Sequence, residues 1–176
     1  SQYLRDVWMK ESFRAMGQPS SRGSFVHLYV NGLYFGLFNL AERIAADFFA
    51  DHLGGQPEDW EINEDLSRPG PRWNAMMTVN PATAAGYAQM QQYVDVANFA
   101  DYMLLHFYAD AEDWPQHNGY AAANAKSGDG KFRFFVWDQE IVLDYHGRAA
   151  TRIDATGGAG ALFQKLRANE DFRLLF

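Results

Sequence analysis

The sequence predicts an α+β fold, and three observations carry that prediction. Two β-hairpins are legible, one over 25–40 and one over 120–137, each with a glycine-bearing turn between apolar runs. Between them Val96 to Tyr108 has the apolar spacing of a helix. Repeating βα units, which a barrel of about 250 residues would require, are absent.

The elements follow in order. Ser1 to Met16 reads as a helix with Leu4, Val7, Trp8 and Ser12 on one face, Gly17 as its C-cap and Pro19 as a stop. Phe25 to Val30 and Leu33 to Leu40 flank Asn31-Gly32, the pair that a type I′ turn favours, and Gly36 signals a bulge or close backbone approach. Ala45 to His52 reads as a short helix ended by Gly54-Gly55. Gln56 to Pro81, with four prolines, reads as an irregular connection with one short strand near Trp60–Ile62, and a short helix is expected between Pro81 and Val94. The helix over 96–108 should bury Phe99, Met103, Leu104, Phe107 and Tyr108, with Asp95 or Asn98 as its cap. A polar loop follows, then strands 120–124 and 132–137 around the turn Gly128 to Gly130. Thr151 to Gly160 is glycine-rich and reads as mobile; helices begin at Leu162 and Phe172.

Composition narrows the function. A chain of 176 residues is one domain's worth or one large piece of a bigger domain, and 48% hydrophobic content supports a real core. The net charge of −7 argues against a general nucleic-acid binder, while leaving a nucleotide open. With no cysteine, thiolate zinc sites and thiol nucleophiles are excluded. No apolar run is long enough to span a membrane, and no signal peptide is visible.

The chemistry concentrates in one order of events: helix, polar loop, hairpin, carboxylate. The loop holds Asp113 and, five positions on, Asn118; the hairpin then delivers Asp138, with Glu140 after it. Protein kinases use this order, with a catalytic-loop Asp, four residues, an Asn, two short strands and a metal-binding Asp. Two carboxylates and an amide oxygen suit Mg²⁺.

Several blocks resemble the CotH kinase family, named for a bacterial spore coat protein. They are the hairpin Phe25 to Arg43, the helix Asn98 to Tyr108, the loop Asp113-Trp-Pro-Gln-His-Asn-Gly-Tyr120, and Phe132-Arg-Phe-Phe-Val-Trp-Asp-Gln-Glu140. The resemblance implies an atypical protein-kinase-like domain, with 1–43 as a small-lobe remnant and 44–176 as a mainly helical large lobe. It implies Mg²⁺- or Mn²⁺-dependent transfer of a phosphoryl group from ATP to a Ser or Thr of a coat or surface protein, in a bacterial, exported, cell-surface or spore-coat setting. Asp113 would be the catalytic-loop Asp; Asp138 and Asn118 would hold metal and nucleotide, Glu140 would be a further ligand or would support the ligands from behind, and Glu42 would contact the nucleotide or pair locally. Of the four lysines only Lys10 lies near the first helix, where it is a poor phosphate ligand; Glu11 is that helix's candidate pairing acid. The phosphate loop and its lysine strand are expected upstream of Ser1, so this segment alone is expected to be inactive.

Competing readings remain at this level. Asp113, Asn118 and Asp138 could serve only as turn residues. His106, Asp110, Asp113 and His117 could gather a zinc ion, although a histidine on an apolar helix is more often packed and hydrogen-bonded. Asp138 and Glu140 share a face of an extended segment, as a glycosidase pair would. A kinase-like binding or structural module without catalysis, and a metal-dependent hydrolase or carbohydrate-active module, are the functional alternatives.

Overall fold

The computed structural model describes residues 4–64, 66, 69–115, 117–146 and 152–176. The first three residues of the expected opening helix, and Thr151 of the glycine-rich stretch, lie outside these.

Helix α1 spans Arg5–Ala15. Its buried residues are Met9, Lys10 and Phe13, whereas Leu4 is exposed, so the inward face lies to one side of the expected stripe. Gly17 takes a φ of +87° and its N–H reaches the Arg14 carbonyl, as a glycine closing a helix does. Strands β1 (Gly23–Val30) and β2 (Leu33–Ala41) form an antiparallel two-stranded ribbon. Asn31 and Gly32 both have positive φ, at 50° and 79°, as a type I′ turn needs. The register slips beside Gly36, whose φ is +143°; the expected bulge is there.

Helix α2 (Ala46–Leu53) leads through a 3₁₀ turn at Pro57–Asp59 into β3 (Trp60–Asn63). Part of the expected irregular connection is helical: α3 spans Pro71–Thr78, with Pro71 in its first turn and Trp73 and Met76 buried. Then come α4 (Ala84–Met90), α5 (Val96–Tyr108), β4 (Tyr120–Asn124), β5 (Arg133–Phe135), α6 (Gly158–Leu166) and α7 (Glu170–Leu175). Asp95 is the cap of α5, accepting from the Asn98 N–H at 3.1 Å. Tyr108, expected inside, points to solvent, and Leu104 is at the margin; Tyr102, Leu105 and His106 take the inner face instead.

Strands β3, β4 and β5 form an antiparallel sheet in that order. Every residue of β4 is buried, because both faces of the sheet are covered. On one face Phe134 packs on Phe99 of α5, with ring centroids 4.7 Å apart. On the other, Phe135 packs on Phe49 of α2 at 4.9 Å. The alanines 121–123 of β4 leave room for these layers.

The glycine-rich stretch is more ordered than its composition suggests. Arg152 donates to the Ala111 and Glu112 carbonyls, and α6 begins at Gly158. A Cβ on Gly158 would meet the Pro115 carbonyl oxygen at 2.2 Å, so this glycine lets α6 press against the polar loop. Mixed helices and small antiparallel sheets make the fold α+β, as the sequence predicts.

Candidate active site

The polar loop after α5 rests on a buried aromatic floor. Trp114 donates its indole N–H to the Tyr102 hydroxyl at 2.9 Å and stacks on His106, with centroids 4.7 Å apart. His106 Nδ1 lies 2.7 Å from the Tyr102 carbonyl, so Nδ1 carries the proton. Burial drives the His106 pKa down to about 3, which keeps the ring neutral. The zinc reading of His106 with Asp110, Asp113 and His117 therefore does not assemble: His106 is sealed beneath Trp114. No group of three or more His, Cys, Asp or Glu stands ready for a metal among the described residues.

Three hydrogen bonds lay this loop against the segment that follows β5. The Glu112 N–H donates to the Ile141 carbonyl at 3.0 Å, and the Leu143 N–H to the Ala109 carbonyl at 2.7 Å. Asn118 Nδ2 donates to the Asp138 carbonyl at 3.0 Å. The two stretches singled out in the sequence thus meet side by side. The backbone here is unusual as well: Asp110, Asn118, Asp138, Leu143 and Asp144 all have φ between 51° and 57°. Left-handed backbone is uncommon outside glycine and tends to cluster at functional sites. Because of it, Asp138 does not continue an extended strand; β5 ends at Phe135 and Asp138 sits in a turn. The extended segment assumed for a glycosidase-like Asp138–Glu140 pair is not present.

Asp113 and Asp138 are exposed, and Glu140 is partly buried. Glu140 Oε2 is enclosed and has no hydrogen-bond partner. Its carboxyl is held above the ordinary carboxylate range, first by burial and then by the neighbouring Asp138 and Asp6. Glu140 Oε2 and the exposed Asp138 carboxylate beside it are two hard-oxygen donors, whereas Asp6, the other acid near them, has both of its oxygens engaged, by Gln139 and Lys10. Mg²⁺ fits such a set, since it needs only one or two carboxylates beside waters and substrate phosphates. Asn118, tethered through its amide nitrogen, has Oδ1 left to offer.

A third acid arrives from an element the sequence does not connect to the site. Asp6 of α1 accepts the Gln139 N–H on Oδ1 at 2.9 Å and the Lys10 ammonium on Oδ2 at 2.6 Å. Glu11, the candidate pairing acid of this helix, is exposed and meets Arg14. An i, i+4 Asp–Lys pair was the available signal, but it is common on ordinary helix surfaces. Glu42 is exposed at the end of β2, accepting from the Arg22 N–H at 2.8 Å and meeting His52 Nε2 at 3.1 Å. Burial is the largest single influence on its pKa and raises it, but the Arg22 N–H, His52 and the nearby positive charge together outweigh burial and hold it below the ordinary range. Of the two roles expected for Glu42, the local pairing is the one these contacts occupy.

A family model described as CotH kinase protein matches residues 1–77 and 73–176, which together span the whole chain. No curated protein matches it. The loop-and-turn geometry lies within the matched regions, and the chain belongs to the CotH kinase family, a family of atypical kinase-like proteins linked to the spore coat.

Proposed function

We propose that this site carries out metal-dependent phosphoryl transfer from ATP to a Ser or Thr hydroxyl of a protein. The observation that supports it is the contact between the Asp113 loop and the Asp138–Glu140 turn, made through Asn118, Glu112 and Leu143. Asp113 faces solvent, where an acceptor side chain can reach it, and its role is to orient the hydroxyl and take its proton. Asp138, Asn118 and Glu140 are the residues that would hold Mg²⁺ or Mn²⁺. A bound divalent cation supplies neutralisation of the negative charge on the transferring phosphates. The protein substrate is a coat or surface protein on this reading, in keeping with the family's link to the spore coat. No helix among the described residues is long and apolar enough to cross a membrane.

Titration calorimetry of ATP with Mg²⁺, on the whole polypeptide that carries these residues and on its Asp138→Ala variant, tests the proposal. The expected result is metal-dependent binding that weakens at least tenfold in the variant. Indifference to ATP with and without metal would remove phosphoryl transfer and leave a kinase-like binding module.

A further inference from the structure

We infer that Asp6 is a positioning residue for the Asp138–Glu140 turn, acting through one hydrogen bond to the main chain rather than through its charge. The inference rests on the phosphoryl-transfer reading above. Gln139 stands between the two carboxylates assigned to the metal, so whatever fixes its amide fixes the spacing of both neighbours. Its N–H is held by Asp6 Oδ1, across 133 positions of sequence. Its side chain is buried and folds back to donate to the Trp137 carbonyl at 2.8 Å. The Asp138 carbonyl is held from the opposite side by Asn118. The turn is therefore tied on the α1 side by Asp6 and on the loop side by Asn118.

Charge alone does not account for an aspartate here. Asp138 and Glu140 already repel each other, and a third carboxylate adds to that repulsion. What offsets it is Lys10, only 8% exposed, one helical turn along α1. Its ammonium takes Asp6 Oδ2 and leaves Oδ1 aimed at Gln139. Lys10 thus balances the charge of Asp6, and Asp6 orients the turn. Helix α1 is itself fixed to the body, with Phe13 packed edge-on against Tyr102 of α5 at 6.2 Å. The hook therefore has a rigid base.

The test compares Asp6→Ala with Asp6→Asn in the whole polypeptide. Lys10→Met accompanies each substitution, so that no ammonium competes for asparagine's single oxygen: asparagine keeps an acceptor for Gln139 and removes the charge, and alanine removes both. Two readouts are used: hydrogen exchange of the peptide spanning 136–142, and Mn²⁺–ATP affinity by calorimetry. The expected result for Asp6→Ala is faster exchange in that peptide and at least tenfold weaker affinity, with exchange over α5 unchanged. For Asp6→Asn, exchange should match the wild type and affinity should stay within about threefold. Equal damage in the two variants would overturn the inference, since charge would then be what matters. So would unchanged 136–142 exchange in Asp6→Ala. If wild type takes up no Mn²⁺–ATP, the functional reading fails by itself, and the exchange data still decide whether Asp6 holds the turn.

Discussion

The ribbon β1–β2 and the pair β4–β5 are both antiparallel hairpins rich in apolar residues, yet the chain treats them in opposite ways. In β4 and β5 the apolar side chains are enclosed by α5 on one face and α2 on the other. In the ribbon, Leu33 is 74% exposed and Phe35 68%, and large apolar side chains stand outward on both faces. The strands of the ribbon pack chiefly on each other. A strand's apolar content thus specifies that it is a strand; whether it is buried depends on which helices the rest of the chain brings to it. The buried pair also leads directly into the Asp138–Glu140 turn of the candidate site.

The contrast can be broken most sharply at Asn98. This residue is buried, donates to Gln18 Oε1 at 3.0 Å and accepts the Phe134 N–H at 2.6 Å. It ties α5, β5 and the α1–β1 connection in one place. Asn98→Ala should cost about 3 kcal/mol in urea denaturation, because it strands a buried main-chain N–H. A loss below about 1 kcal/mol would mean that this layer is not what holds β5.

A smaller effect is expected from acid. His106 has a folded-state pKa of about 3, below its unfolded value. The folded chain therefore binds fewer protons than the unfolded one between those two values. Stability from this group is intact above the unfolded pKa and is lost as pH falls towards 3. From pH 7 to pH 5 the loss should be about 2 kcal/mol. Urea titrations at both pH values, on wild type and His106→Leu, check this; the difference should shrink in the variant. An unchanged difference would place the acid sensitivity elsewhere.

The smallest effect belongs to the ribbon. Phe35→Lys should shift stability by less than about 0.5 kcal/mol, since the side chain leaves little buried contact behind. A loss of 2 kcal/mol or more in the melting curve would show the ribbon to be as closely packed as β4–β5, and the comparison would fall.

The candidate site could be read from the sequence as a grouping because its residues sit on neighbouring pieces of chain, and the structure brings the two pieces side by side. Asp113 and Asn118 share a loop, and Asp138 and Glu140 follow the next hairpin. Short spacing keeps such residues together once the hairpin closes. The local elements were legible for the same reason: the type I′ turn at Asn31-Gly32, the bulge at Gly36 and the bounds of α5 with its Asp95 cap are each decided within a few residues. Helix α3 was missed because prolines surround it and its helical form rests on burying Met76 and on packing Trp73 against the distant Phe132 and Phe134. The glycines near 157–160 read as mobile because a tight approach to Pro115 leaves no trace in composition.

The sequence by itself thus determined the turns, the main helix, the kinase-like order of loop, hairpin and carboxylates, and the family resemblance. Only the tertiary structure decided that Asp6 meets the Gln139 N–H while Glu11 meets Arg14, that Glu42 pairs with His52, and that one hairpin is wrapped while the other stands free. The physical reason is separation along the chain. Local choices are fixed by backbone preference and side-chain spacing, whereas the partner of Asp6 lies 133 residues away and is set by how α1 packs on α5.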